Sequence, residues 1–389
     1  MNENQQEKLV LVDGEIMPEA EAFIDVNDRG HNFGDGVFEI VPVYNGRCFA
    51  LLPHMNNLFD SVIAVKIPGV YMIEELVEFH ESLLAATGLK DCEIYTQVTR
   101  GSGAYALSYP EQSIPHLTMY AVPVDREALA EKRAKGVNVI TVEDVRWARC
   151  DINTLNRLPE VMAKQKAVIG NAFDSLFVRD GKITESTEAS FFIYKDGILW
   201  THPENNFIHK NITRRLLMER LSKDLDLQII ERAFDKDFAL KADEAFLCGP
   251  RCEFMPVTKI DRSFVADGKV GELTQKLQDA YMAFVANDCP AKHEYQQAGA
   301  WSVIGGFGVG AAIAASGAAD AAAAFYVYHW YFGAYDAGAH VAAGRPEDST
   351  VVGVFAAADC LRAGAGAAAV SDSCNLAGQF YLCAACASV

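Results

Sequence analysis

The chain has 389 residues, 50% hydrophobic and 10% aromatic. That is enough for two or three domains with real cores and excludes a disordered polymer. A formal net charge of −18 excludes a general nucleic-acid binder and favours solubility, without pointing to a substrate. Met1–Glu7 lacks the apolar run of a signal peptide, and the cysteines before residue 289 are scattered. Both features fit a cytoplasmic protein with reduced thiols.

Residues 8–288 read as strands and helices without regular βαβ alternation, which predicts an α+β fold. Four dipeptides, Asp13-Gly14, Asn45-Gly46, Asp180-Gly181 and Asp196-Gly197, each separate two short apolar runs. They predict hairpins, because Asp, Asn and Gly accept the positive φ that two-residue turns require. Ile73, Leu76, Val77, Leu83 and Leu84 fall on one helical face that stops at Gly88. The polar stretch 124–135 is expected to join a smaller N-terminal domain (8–123) to a larger C-terminal one (136–288). A helix is predicted after Pro159 with Val161, Ala163 and Ala167 facing inward. Another begins near Thr213 with Leu216, Leu217 and Leu221, and a last one runs from Glu272 to Val285.

The composition changes after Cys289, and 289–389 read as an Ala/Gly-rich, low-complexity extension. Residues 298–319 hold no charge and place Gly306 and Gly310 at GxxxG spacing, so a membrane hairpin is the alternative reading. Missing Lys or Arg anchors and the weak transfer energy of Gly and Ala count against it. Cys383 and Cys386 form a CxxC without a second ligand pair, so no metal site is expected.

Several motifs are specific: Asp28-Arg29-Gly30-His31-Asn32-Phe33-Gly34-Asp35-Gly36-Val37-Phe38-Glu39, the run Ile94–Gly101, Thr184-Glu185, Asn211-Ile212-Thr213-Arg214 and Asp267–Glu272. With Glu143–Asn156 they resemble, in order and spacing, the class IV aminotransferases, the D-amino-acid aminotransferases in particular. The resemblance implies a two-domain, fold type IV scaffold, pyridoxal phosphate in the interdomain cleft, and a homodimer whose partner subunit completes each site. It sets Glu185 against the pyridine nitrogen and Ile212 and Thr213 against the phosphate. A turn acid for Glu185 and a plain N-cap for Thr213 are the competing structural readings.

The same resemblance exposes losses. Asn153 stands where the family has its Schiff-base lysine, and an amide nitrogen cannot form that imine. Asn57 stands at the position of a phosphate-binding arginine, which a neutral amide does not replace. Tyr105 and Leu107 occupy the arginine and histidine positions that hold the substrate carboxylate, and Phe38, a further substrate-binding position, stands where that branch has a tyrosine. Glu188 would set an anion beside the phosphate, Pro250 offers no N–H, and Asn211 replaces a glycine. Three functions are therefore expected in order. The first is a catalytically impaired scaffold with weak, non-covalent cofactor binding. The second is an active transaminase or related lyase of D- or branched-chain amino acids using Lys164, Lys166 or Lys210. The third is a non-catalytic dimeric platform for the C-terminal tail.

Overall fold

The computed structural model describes residues 8–69 and 71–290. The 298–319 segment, the Cys383–Cys386 pair and nearly all of the extension lie outside the described residues. Two sheets organise the rest. The first contains β1 (Leu9–Val12), β2 (Glu15–Pro18), β3 (Gly36–Tyr44), β4 (Arg47–Cys48), β5 (Cys92–Thr99) and β6 (His116–Pro123). Its order is β2-β1-β6-β5-β3-β4, antiparallel throughout.

The second comprises β7 (Val137–Glu143), β8 (Asp174–Arg179), β9 (Lys182–Ser186), β10 (Ser190–Lys195), β11 (Ile198–Thr201), β12 (Gln228–Glu231), β13 (Glu244–Gly249), β14 (Glu253–Ile260) and β15 (Ser263–Phe264). Its path runs β10-β13-β14-β7-β8-β9, and β9 pairs back to β10 at Glu185 and Ser190, closing a barrel. The pairings of β7 with β8 and β14 are parallel. All four Asx-Gly dipeptides lie at hairpin turns with positive φ at both residues, from Asp13 (50°) and Gly14 (92°) to Asp196 (52°) and Gly197 (81°).

The helices are α1 (Arg29–Phe33), α2 (Leu51–Ala64), α3 (Ile73–Thr87), α4 (Arg126–Lys135), α5 (Leu158–Ile169), α6 (Ile212–Leu216), α7 (Ser222–Asp224), α8 (Lys236–Ala239) and α9 (Glu272–Asp288). A π turn at Leu217–Leu221 links α6 to α7. Side chains alternate across a strand, so Val37, Val41 and Val43 of β3 share one face with Ile94 and Val98 of β5. Helices α2 and α3 cover that face through Met55, Leu58, Leu76 and Leu83, forming the first core. The second core fills the barrel with Val139, Leu176, Phe191, Ile193, Leu247 and Met255.

Helix α3 ends where expected, with Gly88 in the left-handed region at φ 64°. The polar stretch 124–135 folds as α4, with Asp125 capping the N–H of Ala128. Its polarity is explained by contact: Arg126 and Arg133 of α4 both reach Glu253 of β14. One expectation for α5 fails. Ala163 and Ala167 face inward, but the third inward residue is Glu160, and Val161 is 60% exposed. Helix α2 is a further element that the apolar pattern alone does not reveal, because His54, Asn57 and Ser61 interrupt its buried face.

Candidate functional site

A cleft of about 570 Å³ of open space is lined by residues from both sheets and from the loops around Asn153 and Lys210. The loop between β7 and α5 carries Asn153 and is stitched to β3 by its main chain. Phe38 N–H donates to the Asn153 carbonyl at 2.8 Å, and Leu155 N–H donates to the Gly36 carbonyl at 3.1 Å. The Asn153 N–H reaches Ser61 Oγ at 3.3 Å.

The Asn153 side chain points at a buried charge. Glu39 shares the core face of β3 with Val37 and Val41, and an unpaired carboxylate there would be costly. It is satisfied by His54 Nδ1 at 3.0 Å to Oε1 and by Asn153 Nδ2, which donates to Oε2 at 3.2 Å. His54 comes from α2 and is itself buried.

Glu185, at the end of β9, is 1% exposed, so it is not a solvated turn acid. Arg146 Nη1 donates to its Oε1 at 2.6 Å, the His209 ring Nδ1 lies 2.7 Å from the same oxygen, and the His209 N–H sits 3.1 Å from both. Burial pushes this carboxyl up, but His209 and Arg146 more than offset it and hold it below the ordinary glutamate range. Arg146 is in turn gripped by Asp144, at 2.9 and 3.0 Å.

The remaining predicted residues divide sharply. Asn57 Nδ2 donates to the Lys210 carbonyl at 2.9 Å, tying α2 to the loop before α6. Ile212 and Thr213 are buried at the start of α6, but the N-cap is Asn211, whose side chain accepts from Arg214 N–H at 3.2 Å. The plain-cap reading of Thr213 is therefore corrected. The Asn211 amide donates to the Cys248 carbonyl at 2.6 Å. Glu188 is not left as a naked anion either, because Arg251 and Lys164 pair with it. Burial pushes its carboxyl up, and Arg251, Lys164 and Arg157 together pull it below the usual range.

Phe38 lines the cleft, stacked on Tyr95 with ring centroids 5.6 Å apart, and the Arg157 guanidinium lies 4.8 Å from the Phe38 ring. Tyr105 and Leu107 do not line it; they are 83% and 86% exposed. Lys166 is exposed, and Lys164 donates to the Phe173 carbonyl and pairs with Glu188 from behind the wall; neither lysine of α5 lines the cleft. Lys210 does line it, but its Nζ is paired with Asp60 at 2.7 Å.

This arrangement is a known one. The family model for class IV amino-transferases matches residues 36–260. D-alanine aminotransferase from Staphylococcus aureus (strain COL) is 35% identical over 277 residues, 71% of this chain and 97% of that protein. The Bacillus licheniformis D-alanine aminotransferase is 36% identical over 271 residues, 70% of this chain and 95% of that protein. The chain belongs to the class IV aminotransferase family. Its fold matches the Escherichia coli branched-chain amino acid aminotransferase with a TM-score of 0.68, at 22% identity over 74% of this chain and 97% of that one. The branched-chain amino acid aminotransferase of Thermoproteus uzoniensis, solved with norvaline, superposes with a TM-score of 0.66 at 24% identity, over 75% and 98%. The architecture is thus the α+β, fold type IV arrangement with its β-barrel.

The family uses pyridoxal phosphate, and the residues present here do not fit that group held covalently. The amide of Asn153 is committed to Glu39, the lysine that lines the cleft is committed to Asp60, and the Glu185 carboxylate already carries donors from Arg146 and His209. Asn57 spends its amide on a backbone carbonyl, and Pro250 has no N–H to offer. Among the described residues no cluster of His, Cys, Asp or Glu could hold a metal ion, the cysteines are free thiols, and no helix is long and apolar enough to cross a membrane.

Sequence reasoning misses Arg146, His209, Glu39, His54 and Arg157 as parts of this site. Glu39 carries a usable signal, a lone charge on the apolar face of a β-strand. His209 and Arg157 carry none, because their roles depend on loops meeting in space.

Proposed function

We propose that this chain is a D-alanine-aminotransferase-like scaffold that has lost covalent transamination. The observation that carries the reading is Asn153: it sits in the cleft, in the loop bound to β3, with an amide where the resemblance sets the imine lysine. An amide nitrogen has no basic lone pair with which to attack an aldehyde. Asn57 supports the same reading, since it offers a neutral amide where the resemblance sets a phosphate-binding arginine. Pyridoxal phosphate, if taken up, binds weakly and without a bond to the chain. The protein acts in the cytoplasm on a small amino or oxo acid, if on any, and works as a homodimer. Exposed apolar side chains such as Phe23, Leu107 and Ile114 support a second copy covering them.

The test is an absorbance scan of purified protein with pyridoxal phosphate, alongside D-alanine turnover. No protonated-imine band and no turnover are expected for the wild type, and a band is expected for Asn153→Lys. A borohydride-reducible band in the wild type, abolished by Lys210→Ala, would instead establish a repositioned lysine.

A further inference from the structure

We infer that Arg157 is the group through which this cleft receives the carboxylate of a small organic acid. This rests on the preceding reading only in taking the same cleft as the ligand site. Arg157 lies at the junction of the Asn153 loop and α5, and its side chain lines the cleft. Its guanidinium lies 4.8 Å from the centroid of Phe38, and Phe38 is stacked in turn on Tyr95. A guanidinium beside an aromatic face is held in place without being neutralised.

What distinguishes it from the neighbouring cations is the lack of a direct ion pair, since Glu188 acts on it only at longer range. Arg146 pairs with Asp144 and Glu185, Arg251 with Glu93 and Glu188, and Lys210 with Asp60. Among the described residues, Arg157 has no carboxylate at ion-pair distance. Its protein hydrogen bond is Nη2 to the Thr187 carbonyl at 3.2 Å, and its Nε is buried without an acceptor. A half-buried guanidinium with donors to spare is costly to leave unsatisfied and is matched by a planar, bidentate acceptor. Glu188 is the nearby anion, but it is engaged by Arg251 and Lys164.

The ring of Phe38 offers the acid an apolar side. Arg157 thus offers, next to Phe38 and within one protomer, a cation for the carboxylate that Tyr105 and Leu107 do not provide.

The experiment uses the full chain without added cofactor, and titrates pyruvate, and acetone as its uncharged counterpart, by calorimetry and ligand-observed NMR. The wild type is expected to saturate with pyruvate and not with acetone. Arg157→Ala is expected to weaken pyruvate at least tenfold with an unchanged melting midpoint, while Arg157→Lys, if the alanine variant fails to fold, is expected to lose less than half of that effect. Unchanged pyruvate affinity in a folded Arg157 variant would overturn the assignment, as would acetone binding equal to pyruvate or no pyruvate saturation in the wild type. None of these readouts involves an imine, so either reading can fail while the other stands.

Discussion

Two buried carboxylates, Glu253 and Glu185, sit in comparable settings and are used differently. Glu253 of β14 is fully buried at the contact between the first sheet, α4 and α9. It accepts from Arg126 Nη1 at 3.1 Å, Tyr44 Oη at 3.0 Å and Gln278 Nε2 at 2.6 Å, and Arg133 Nη1 lies 2.9 Å from it as an ion pair. Tyr44 adds a bond to Tyr281 and lies under the Arg126 guanidinium, and burial first, then Glu253, pushes its phenol well above the ordinary range. This cluster has no open side. Glu185 is held by two residues, Arg146 and His209; His209 is a loop residue on the wall of the cleft, which is also lined by Arg157 without a direct ion pair. The first cluster ties elements together, whereas the second leaves polar capacity facing a ligand.

The largest effect is expected from Glu253→Ala. It removes the carboxylate shared by Arg126 and Arg133, leaving Arg126 only a 3.8 Å pair with Asp91, and should cost about 3–5 kcal/mol, read from urea unfolding. A loss below about 1 kcal/mol would mean that the cluster is wetter and looser than its geometry implies.

The next effect is one of pH and separates the core from the cleft. His80 of α3 is fully buried, with Nδ1 2.7 Å from the Leu76 carbonyl and Nε2 2.9 Å from Thr96 Oγ1, and burial lowers its pKa from 6.5 to about 4. The folded state therefore disfavours the proton that the unfolded state accepts. Stability should fall as pH drops from 6.5 towards 4, by on the order of 3 kcal/mol, and this component should be flat below that. Glu185 has the same sign in a lower pH window, because its carboxyl is also held below its ordinary value. Its contribution is present above the unfolded value near 4.5 and is lost only as pH falls through its lower folded value. His80→Phe should erase the first stage of an acid unfolding series and leave the second.

Smaller effects belong to the cleft itself. Glu185→Gln should cost about 1–3 kcal/mol, less than Glu253→Ala, because Arg146 keeps its pair with Asp144. Asn153→Ala should cost about 1–2 kcal/mol, since Glu39 loses one hydrogen bond to its carboxylate but retains His54. Thermal or urea midpoints check both. A cost above about 3 kcal/mol for Asn153→Ala would make the residue a structural element and erase the contrast with Glu253.

The hairpins are legible in the sequence because their cause is local: Asp13-Gly14, Asn45-Gly46, Asp180-Gly181 and Asp196-Gly197 need only their own φ values. Helix α3 and the leucines of α6 and its π turn are legible for the same kind of reason, a periodic apolar face. Val161 is misplaced by that reasoning because α5 buries Glu160 instead, and periodicity has no means of placing an acid inside. The cleft is half legible. Asn153, Glu185 and Asn57 lie in motifs with fixed spacing, whereas the pairing of His209 with Glu185 joins β9 to a distant loop. Likewise, no local pattern foretells that Glu188 meets Arg251 across the cleft.

The main-chain bonds from β3 to the Asn153 loop have a further consequence. Whatever side chain position 153 carries, the Phe38 and Leu155 amides deliver its Cα to the same spot, so the socket is indifferent to its plug. One exchange there can remove or return a reactive atom while the strand, the loop and the barrel keep their places.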